Sequence, residues 1–553
     1  MKLQSGPKHI QDATRFFLCL AGMATGVLIT VATTPVEAAA PNIVYIMADD
    51  LGIGDVECYG GDRCQIDTPH IDALATAGMM FTDAHAPASV CVPTRVAIMT
   101  GRYAWRFQSP RPSGPWGFLN PRIGLKRLTL GKMLQTAGYR TGYVGKWHLG
   151  TLMQTLDEKN QGLGNVDYSK PLKIGPRNYG FDDSFILPGS LDMYPYVFVR
   201  KNVFVGEVTE QRGWSAFNRV GPTAKGFEDW KVLDRFSTEA ESFIARNAKS
   251  TKEGKPFFLY VALTSPHPPL SPSPKFEGKS RMGLYGDFVM ETDDCVGRVT
   301  AALKKHNLAE NTLVIFTSDH GPAPYAGDRR KATAGQMKEL EKRGHFPSGP
   351  YRGYKFSVYE GGLRIPFIVR WPGVVEPGSQ CDRLIGLNDL MATVADVTQI
   401  KPAADSLLDS VSYLPLLRDP SAEHTRTSMI LRSTRCFVVR HGDWKLALCP
   451  GSGSGVGLGN SPTWDEAWQR ARGEFGKPAT REELTAAPFV QLFNLSVDPN
   501  ESENLAADHP KRVNELLDFL RQQIDRGRTT PGSKLPNDRH IQHLSPAPPY
   551  VFQ

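Results

Sequence analysis

Three near-continuous apolar runs constrain the fold of this chain more than any other feature: "NIVYIMA" (Asn42–Ala48), "PFFLYVALT" (Pro256–Thr264) and "TLVIFTS" (Thr312–Ser318). Runs without polar alternation are those of strands buried on both faces, as in a parallel sheet covered by helices. Each run ends in polar chemistry: Asp49-Asp50 after the first, "SPHPP" with His267 after the second, and Asp319-His320 after the third. Sites in open α/β sheets form beyond the carboxyl ends of strands. Three runs delivering carboxylates and imidazoles in the same sense therefore predict one cleft. "RTGYVGKWHLG" (Arg140–Gly150) is a fourth candidate strand, carrying Lys146 and His148.

Helical patterns fall between these strands, as in "IDALATAG" (Ile71–Gly78), "TLGKMLQTAG" (Thr129–Gly138) and "DFVMETDDCVGRVTAALKKH" (Asp287–His306). The alternation predicts an α/β fold, a large, mainly parallel mixed sheet sandwiched by helices. From about Thr151 to Asp234 periodicity is weak, and long substrate-side loops are expected there. After "LPLLRDP" (Leu414–Pro420) the texture changes to short β-like runs, "SMIL", "CFVVR" and "DWKLALC", followed by the amphipathic "KRVNELLDFLRQQI". A smaller C-terminal α+β domain containing an antiparallel sheet is expected, with "GSGSGVGLG" (Gly451–Gly459) as a flexible loop within it. The boundaries read as a catalytic domain over 41–420, the small domain over 421–530 and an irregular tail over 531–553.

At the N-terminus, Lys2, Lys8 and Arg15 precede the apolar run "FFLCLAGMATGVLITVA" (Phe16–Ala32), and small residues up to Ala38–Ala40 offer cleavage sites. Residues 1–38 read as a secretory signal peptide, the alternative being an uncleaved membrane anchor; a secreted or periplasmic location follows. Removing 1–38 takes three cations and two anions from a chain of net charge +7, leaving +6. That surplus is too small and too scattered for a nucleic-acid footprint. A membrane is involved only through the signal segment, if uncleaved.

Export sharpens a question of cysteine arithmetic. Cys19 leaves with the signal, and seven remain: Cys58, Cys64, Cys91, Cys295, Cys381, Cys436 and Cys449. In an oxidising compartment an odd thiol needs an explanation. Spacing allows Cys58 with Cys64 and Cys436 with Cys449 without establishing either. Cys91 is the candidate odd one, because "SVCVPTRVAIMTGR" (Ser89–Arg102) sets it beside Pro93 and Arg95 at a helix start, where a thiol pKa is expected to fall. A thiolate nucleophile partnered by histidine and an inert buried cysteine both fit that stretch alone.

The surroundings decide between them. "CVPTR" resembles the modification motif of the type I sulfatases, the formylglycine-dependent arylsulfatase-like enzymes of the alkaline phosphatase superfamily. "PNIVYIMADDLG" before it, then "GYVGKWHLG", "SPHPP", "TSDHG", "YRGYKFSVYEGGLRIPFIVRWPG" and "LFNLSVDPNESENLA" resemble that family's other landmarks, in its usual order from Pro41 to Ala506. The resemblance implies a sulfuric ester hydrolase in which a maturation enzyme converts Cys91 to formylglycine, an aldehyde that hydrates to a geminal diol. The remaining six cysteines are then even in number.

It further implies a divalent cation, usually calcium, held by Asp49, Asp50, Asp319 and the modified Cys91. His320 stands where many members carry asparagine, and is expected as a metal or sulfate contact. Arg95 is expected to orient the hydrated aldehyde, Lys146 and Lys355 to bind sulfate oxygens, His148 to act as base, and His267 to protonate the leaving oxygen. His70 and His85 are left as surface or packing residues. "GSLDMYPYVFVRKN" (Gly189–Asn202) resembles the substrate loop of some carbohydrate sulfatases, which implies a sulfated carbohydrate substrate, with Asp192 accepting from sugar hydroxyls and Tyr194 or Tyr196 stacking on a ring. The alternatives are aryl sulfate specificity, a formylglycine-dependent phosphonate or phosphate ester hydrolase, and a non-catalytic glycan-binding protein.

Overall fold

The computed structural model describes residues 40–553 apart from 111–113, 214–217, 327–335, 434–435, 454–487 and 543–553. The expected signal segment, most of the Gly451–Gly459 loop and the end of the expected tail lie outside the described residues.

The three apolar runs are neighbours at the centre of a ten-stranded sheet. Its strands are β1 (Asn42–Asp49), β2 (Met79–Phe81), β3 (Arg140–Lys146), β4 (Asp183–Leu187), β5 (Val199–Arg200), β6 (Val203–Phe204), β7 (Phe257–Pro266), β8 (Thr312–Ser318), β9 (Phe367–Arg370) and β10 (Ser379–Cys381). They lie in the order β10-β2-β9-β8-β1-β7-β3-β4-β5-β6. The five from β8 to β4 are parallel, and antiparallel pairs flank them on both sides. β1, β7 and β8 are buried at every residue. Ile43, Val44, Ile46 and Met47 of β1 alone have no exposure, and each such side chain contributes roughly 1.5–3 kcal/mol on burial. The sheet is thus a stiff floor with the ends of β1, β3, β7 and β8 at one rim.

Helices α1 (Pro69–Thr76), α2 (Cys91–Thr100), α3 (Leu130–Thr136), α4 (Val232–Lys252) and α5 (Gly283–Lys305) cover it. α4 packs on β7 and β3, and α5 on β7, α4 and α1. The region 151–234 departs from expectation. Besides loops it supplies β4, β5 and β6 and a separate hairpin, Val208–Arg212 with Gly221–Ala224. Strands of two residues carry no readable alternation.

The second sheet is antiparallel, β11 (Ser428–Arg432), β12 (Phe437–His441), β13 (Trp444–Leu448) and β14 (Val490–Asn494) in that order. α6 (Pro510–Arg526) covers it with Leu516, Leu520 and Ile524, and Tyr103 and Trp105, just beyond α2, share the same core. No disulfide joins Cys58 to Cys64, and Cys449 lies against Cys436.

Candidate active site

Asp49 ends β1, and Asp50 follows it in a left-handed conformation, φ 63°, uncommon for a residue with a side chain. The Asp50 N–H donates to Asp319 Oδ1 at 3.2 Å and the Leu51 N–H to Ser318 Oγ at 3.0 Å, which ties the turn beyond β1 to the end of β8. Oxygens of Asp49, Asp50 and Asp319 thereby converge within 4.8 Å of one another, all buried.

Cations meet all three carboxylates. Lys146 Nζ lies 2.5 Å from Asp49 Oδ2, Lys355 Nζ donates to both oxygens of Asp50 at 2.7 and 2.8 Å, and Arg95 Nη2 lies 3.0 Å from Asp319 Oδ2 and 3.4 Å from Asp49 Oδ1. Lys146 reaches its place because β3 closes tightly on β7. A Cβ at Gly145, where φ is 119°, would fall 1.8 Å from the Ala262 carbonyl oxygen. The balance is uneven. Burial would raise Asp49, but Lys146, His267 and Arg95 hold it well below the usual carboxylate range. Burial pushes Asp50 up to about 8, with Asp49 and Asp319 adding to the effect against Lys355.

Cys91 is the first residue of α2, and its Sγ sits 3.2 Å from His320 Nε2 and 3.7 Å from both Asp49 Oδ1 and Lys146 Nζ. The expected lowering of its pKa does not occur. Burial drives the thiol well above its ordinary range; Lys146 and Lys355 oppose this, and Asp319 and Asp49 reinforce it.

The carbonyl oxygens of Gly321 and Pro268 can only accept, so His320 Nδ1, at 3.0 Å, and His267 Nδ1, at 2.6 Å, carry the protons. Each ring then presents Nε2 to the cleft: that of His320 lies 3.3 Å from Asp50 Oδ1, and that of His267 3.6 Å from Asp50 Oδ2. Burial lowers His320 to about 4, leaving a neutral lone pair toward the carboxylates. Burial, Lys355 and Lys146 hold His267 well below its ordinary value. His148, two residues beyond β3 at φ 48°, is lowered by burial, Lys146 and Arg95, and its buried Nδ1 has no hydrogen-bond partner among the described residues. Three carboxylates crowded beside a neutral imidazole form a donor set that fits a divalent cation.

Asp192 lies beside this group, its Oδ1 3.9 Å from His267 Nδ1. Tyr194 does not present a stacking face. Its ring is buried against Phe118 and Gly221. Tyr196 is likewise buried, its hydroxyl donating to the Arg219 carbonyl oxygen. Sequence reasoning missed Arg219, which donates to the Asp192 carbonyl and Oδ2 at 2.9 Å while lying over the Trp116 ring. It also missed Tyr325, whose ring meets that of His267 edge-on at 6.4 Å, and Ser318 beneath Leu51. No spacing announces Arg219, because a β-hairpin returns it to Asp192.

The arrangement has counterparts among known proteins. The family model described as Sulfatase matches residues 41–400. The chain belongs to the sulfatase family. Accordingly it is a sulfuric ester hydrolase. It is 34% identical to the N-acetylgalactosamine-6-O-sulfatase of Bacteroides thetaiotaomicron over 87% of this chain and 92% of that protein. A steryl-sulfatase of Rattus norvegicus is 32% identical over 68% of this chain and 70% of that enzyme. A solved sulfatase from a study of glycosaminoglycan metabolism by Bacteroides thetaiotaomicron superimposes with a TM-score of 0.71 at 31% identity, covering 88% of this chain and 99% of that one. Among the described residues no helix of this sulfatase is long and apolar enough to cross a membrane.

Proposed function

We propose that this sulfatase removes a sulfate ester from a carbohydrate, with a 6-sulfated N-acetylhexosamine the first candidate, using formylglycine made from Cys91 by a maturation enzyme. The carbohydrate reading is supported by the hexosamine sulfatase, 34% identical along 92% of its length, against 28–32% identity for the steryl-sulfatases. The apolar segment at the N-terminus supports action after export.

One observation carries the nucleophile assignment: Cys91 lies among carboxylates, lysines and an imidazole, yet burial keeps its sulfur protonated. A thiolate nucleophile would need the opposite electrostatics. Formylglycine supplies, as its hydrate, two hydroxyls on one carbon, the first to attack sulfur and the second to let sulfate depart. Asp49, Asp50, Asp319 and His320 would hold calcium beside position 91, where a divalent cation would neutralise the carboxylates and polarise a sulfate oxygen.

The remaining steps belong to the side chains. Arg95, fixed by Asp319 and by the Lys146 carbonyl oxygen at 3.1 Å, orients the residue at position 91. Lys146 and Lys355 provide the ammonium groups for the sulfate oxygens. His148, neutral with an open nitrogen, takes the proton that releases sulfate. His267 turns Nε2 toward the leaving oxygen and takes up its proton when the bound anion offsets Lys355 and Lys146. Asp192, anchored by Arg219, accepts from a sugar hydroxyl through Oδ1.

The test is chemical. Made alongside a maturation enzyme, the Cys91 peptide is expected to lose its sulfur and to react with hydrazide reagents. A Cys91→Ser variant keeps one hydroxyl and is expected to stop after one turnover as a serine sulfate, visible in the intact mass. A fully active wild type with a titratable Cys91 thiol would refute the assignment.

A further inference from the structure

Beyond Asp50 the chain turns through the short stretch "LGIGD" (Leu51–Asp55), and the side chain at its end reaches back to hold it. Asp55 Oδ2 accepts from the Gly52 N–H and from the Tyr285 hydroxyl of α5, each at 2.7 Å. His345 Nε2 lies 2.9 Å from Asp55 Oδ1, and the Gln65 N–H donates to His345 Nδ1 at 3.2 Å. A backbone N–H can only donate, so Nδ1 is the accepting nitrogen and Nε2 carries the proton given to Asp55. Asp55 and His345 have no exposure, and Tyr285 is buried. Donors from three separate parts of the chain thus converge on one carboxylate that the sulfate chemistry does not use.

The bond from Gly52 to Asp55 completes a series. The successive N–H groups of Asp50, Leu51 and Gly52 donate to the side chains of Asp319, Ser318 and Asp55. Asp50, the first of them, is the residue at φ 63°. A left-handed conformation at a residue with a side chain persists only where its surroundings over-determine it. Two of the three acceptors come from the end of β8, and the third is Asp55. The turn is also pressed against the segment that follows His345. The Gly54 N–H donates to the Pro347 carbonyl oxygen at 2.8 Å, and a Cβ at Gly52 would fall 2.0 Å from that same oxygen. That segment continues to Lys355, the counter-ion of Asp50, with Ser348 Oγ donating to the Gly353 carbonyl oxygen at 2.8 Å on the way.

We propose that Asp55 is a positioning residue: with Tyr285 and His345 it holds the Asp50 turn in the conformation that presents the Asp50 carboxylate to a divalent cation. The proposal rests on the calcium reading above. Groups that orient a metal ligand through hydrogen bonds govern affinity although they never touch the ion. A carboxylate suits the task because both its oxygens accept, in charge-assisted bonds. An amide at position 55 cannot do the same. Its nitrogen must face either the Nε2–H of His345 or the pair formed by the Gly52 N–H and the Tyr285 O–H, and His345 cannot move its proton to Nδ1 without opposing the Gln65 N–H.

The test is a calorimetric titration of metal-stripped, matured protein with calcium chloride, paired with nitrophenyl sulfate turnover across calcium concentrations, for wild type, Asp55→Asn, Tyr285→Phe and Asp293→Asn. Asp55→Asn is expected to weaken calcium binding about 10- to 100-fold, as for other groups that orient a metal ligand. Turnover should fall with it at low calcium and return to within about threefold of wild type at saturating calcium, a recovery that a merely structural defect would not show. Tyr285→Phe removes one donor and keeps the ring, so it carries the test if the amide variant fails to fold; its loss should have the same direction and be smaller. Asp293 is the control, a buried carboxylate that accepts from the His70 and Ile71 N–H groups at the start of α1 instead of at the Asp50 turn. Its amide is expected to lower the urea midpoint and leave calcium affinity unchanged. Wild-type calcium affinity in the folded fraction of both Asp55→Asn and Tyr285→Phe, or an equal loss in Asp293→Asn, would overturn the positioning role. A wild type that turns over nitrophenyl sulfate without binding calcium would overturn the calcium reading itself, and undiminished kcat in Asp55→Asn would then overturn the role of Asp55 as well.

Discussion

Two buried clusters in this protein use the same residue types to opposite ends. One is the cleft of Asp49, Asp50, Asp319, His267 and His320. The other joins the main sheet to the small one: Lys445 of β13 reaches Glu360 and Glu501 at 2.8 and 2.7 Å, while Arg364 Nε and His85 Nε2 each lie 2.8 Å from Glu360 Oε2. Asp83, His85 and Glu360 even converge at metal-like separations. Yet His85, Lys445 and Arg364 overcome burial and hold Glu360 well below its ordinary pKa, whereas Asp50 meets one lysine and two further carboxylates and is pushed up to about 8. Cations saturate the first carboxylate and leave the second frustrated. Glu501 is pushed up as well, to about 7, by burial and Glu360 against Lys445, so each cluster pairs a lowered carboxylate with a raised one; the cleft differs in gathering three carboxylates within 4.8 Å beside a neutral imidazole, which is what a metal ion relieves.

The largest effect that sharpens this comparison is expected from Asp50→Asn. Burial, Asp49 and Asp319 shift metal-free Asp50 toward its protonated form against Lys355, so the isosteric amide is expected to cost the metal-free protein less stability than it costs the metal-bound protein. The same change should cost several kcal/mol of transition-state stabilisation, at least about 10³-fold in kcat/KM. Calcium titrations followed by thermal melting should raise the midpoint of the wild type and not that of the variant. A destabilised metal-free variant that still gains stability with calcium would reverse the argument.

The cleft was the more legible of the two clusters. Its members stand at the ends of apolar runs, and parallel strands must discharge their polar residues at one rim, so Asp49, His267 and Asp319 could be grouped without a structure. Glu360, Lys445 and Glu501 come from a short helix, a hairpin strand and a turn far apart in the chain; their meeting is a product of topology, and His85 read as mere packing. The same holds for Arg219 on Asp192. The direction of the Cys91 pKa was misread because a helix start is visible in sequence and full burial is not.

The scaffold cluster makes its own prediction, of intermediate size. Lys445→Met removes the cation between Glu360 and Glu501, both fully buried, and leaves two carboxylates facing each other. Breaking a buried pair in this way typically costs about 3–5 kcal/mol. Urea unfolding is expected to show that loss, with KM for nitrophenyl sulfate unchanged in the folded fraction. A cost near zero would mean that this network is as frustrated as the cleft, and the contrast between them would fail.

The smallest expected effect separates roles within the cleft. Both rings come within 4.8 Å of Cys91, but His267 differs from His320 in its other neighbours: His320 Nε2 faces Asp50 and Asp319, while His267 Nε2 lies 3.6 Å from Asp50 and its ring is flanked by Asp192 and Tyr325. If His267 supplies the proton to the departing oxygen, its removal should matter only where that oxygen is a poor leaving group. His267→Ala is therefore expected to lower kcat on a sugar sulfate by about 10²-fold and on nitrophenyl sulfate far less, since an activated phenolate needs little protonation in the transition state. Calcium affinity should be preserved, because the donors that crowd Asp50 are untouched. Equal losses on both substrates, with calcium binding weakened as well, would move His267 from the leaving-group side of the cleft to the metal side, and the division of labour between the two histidines would have to be redrawn.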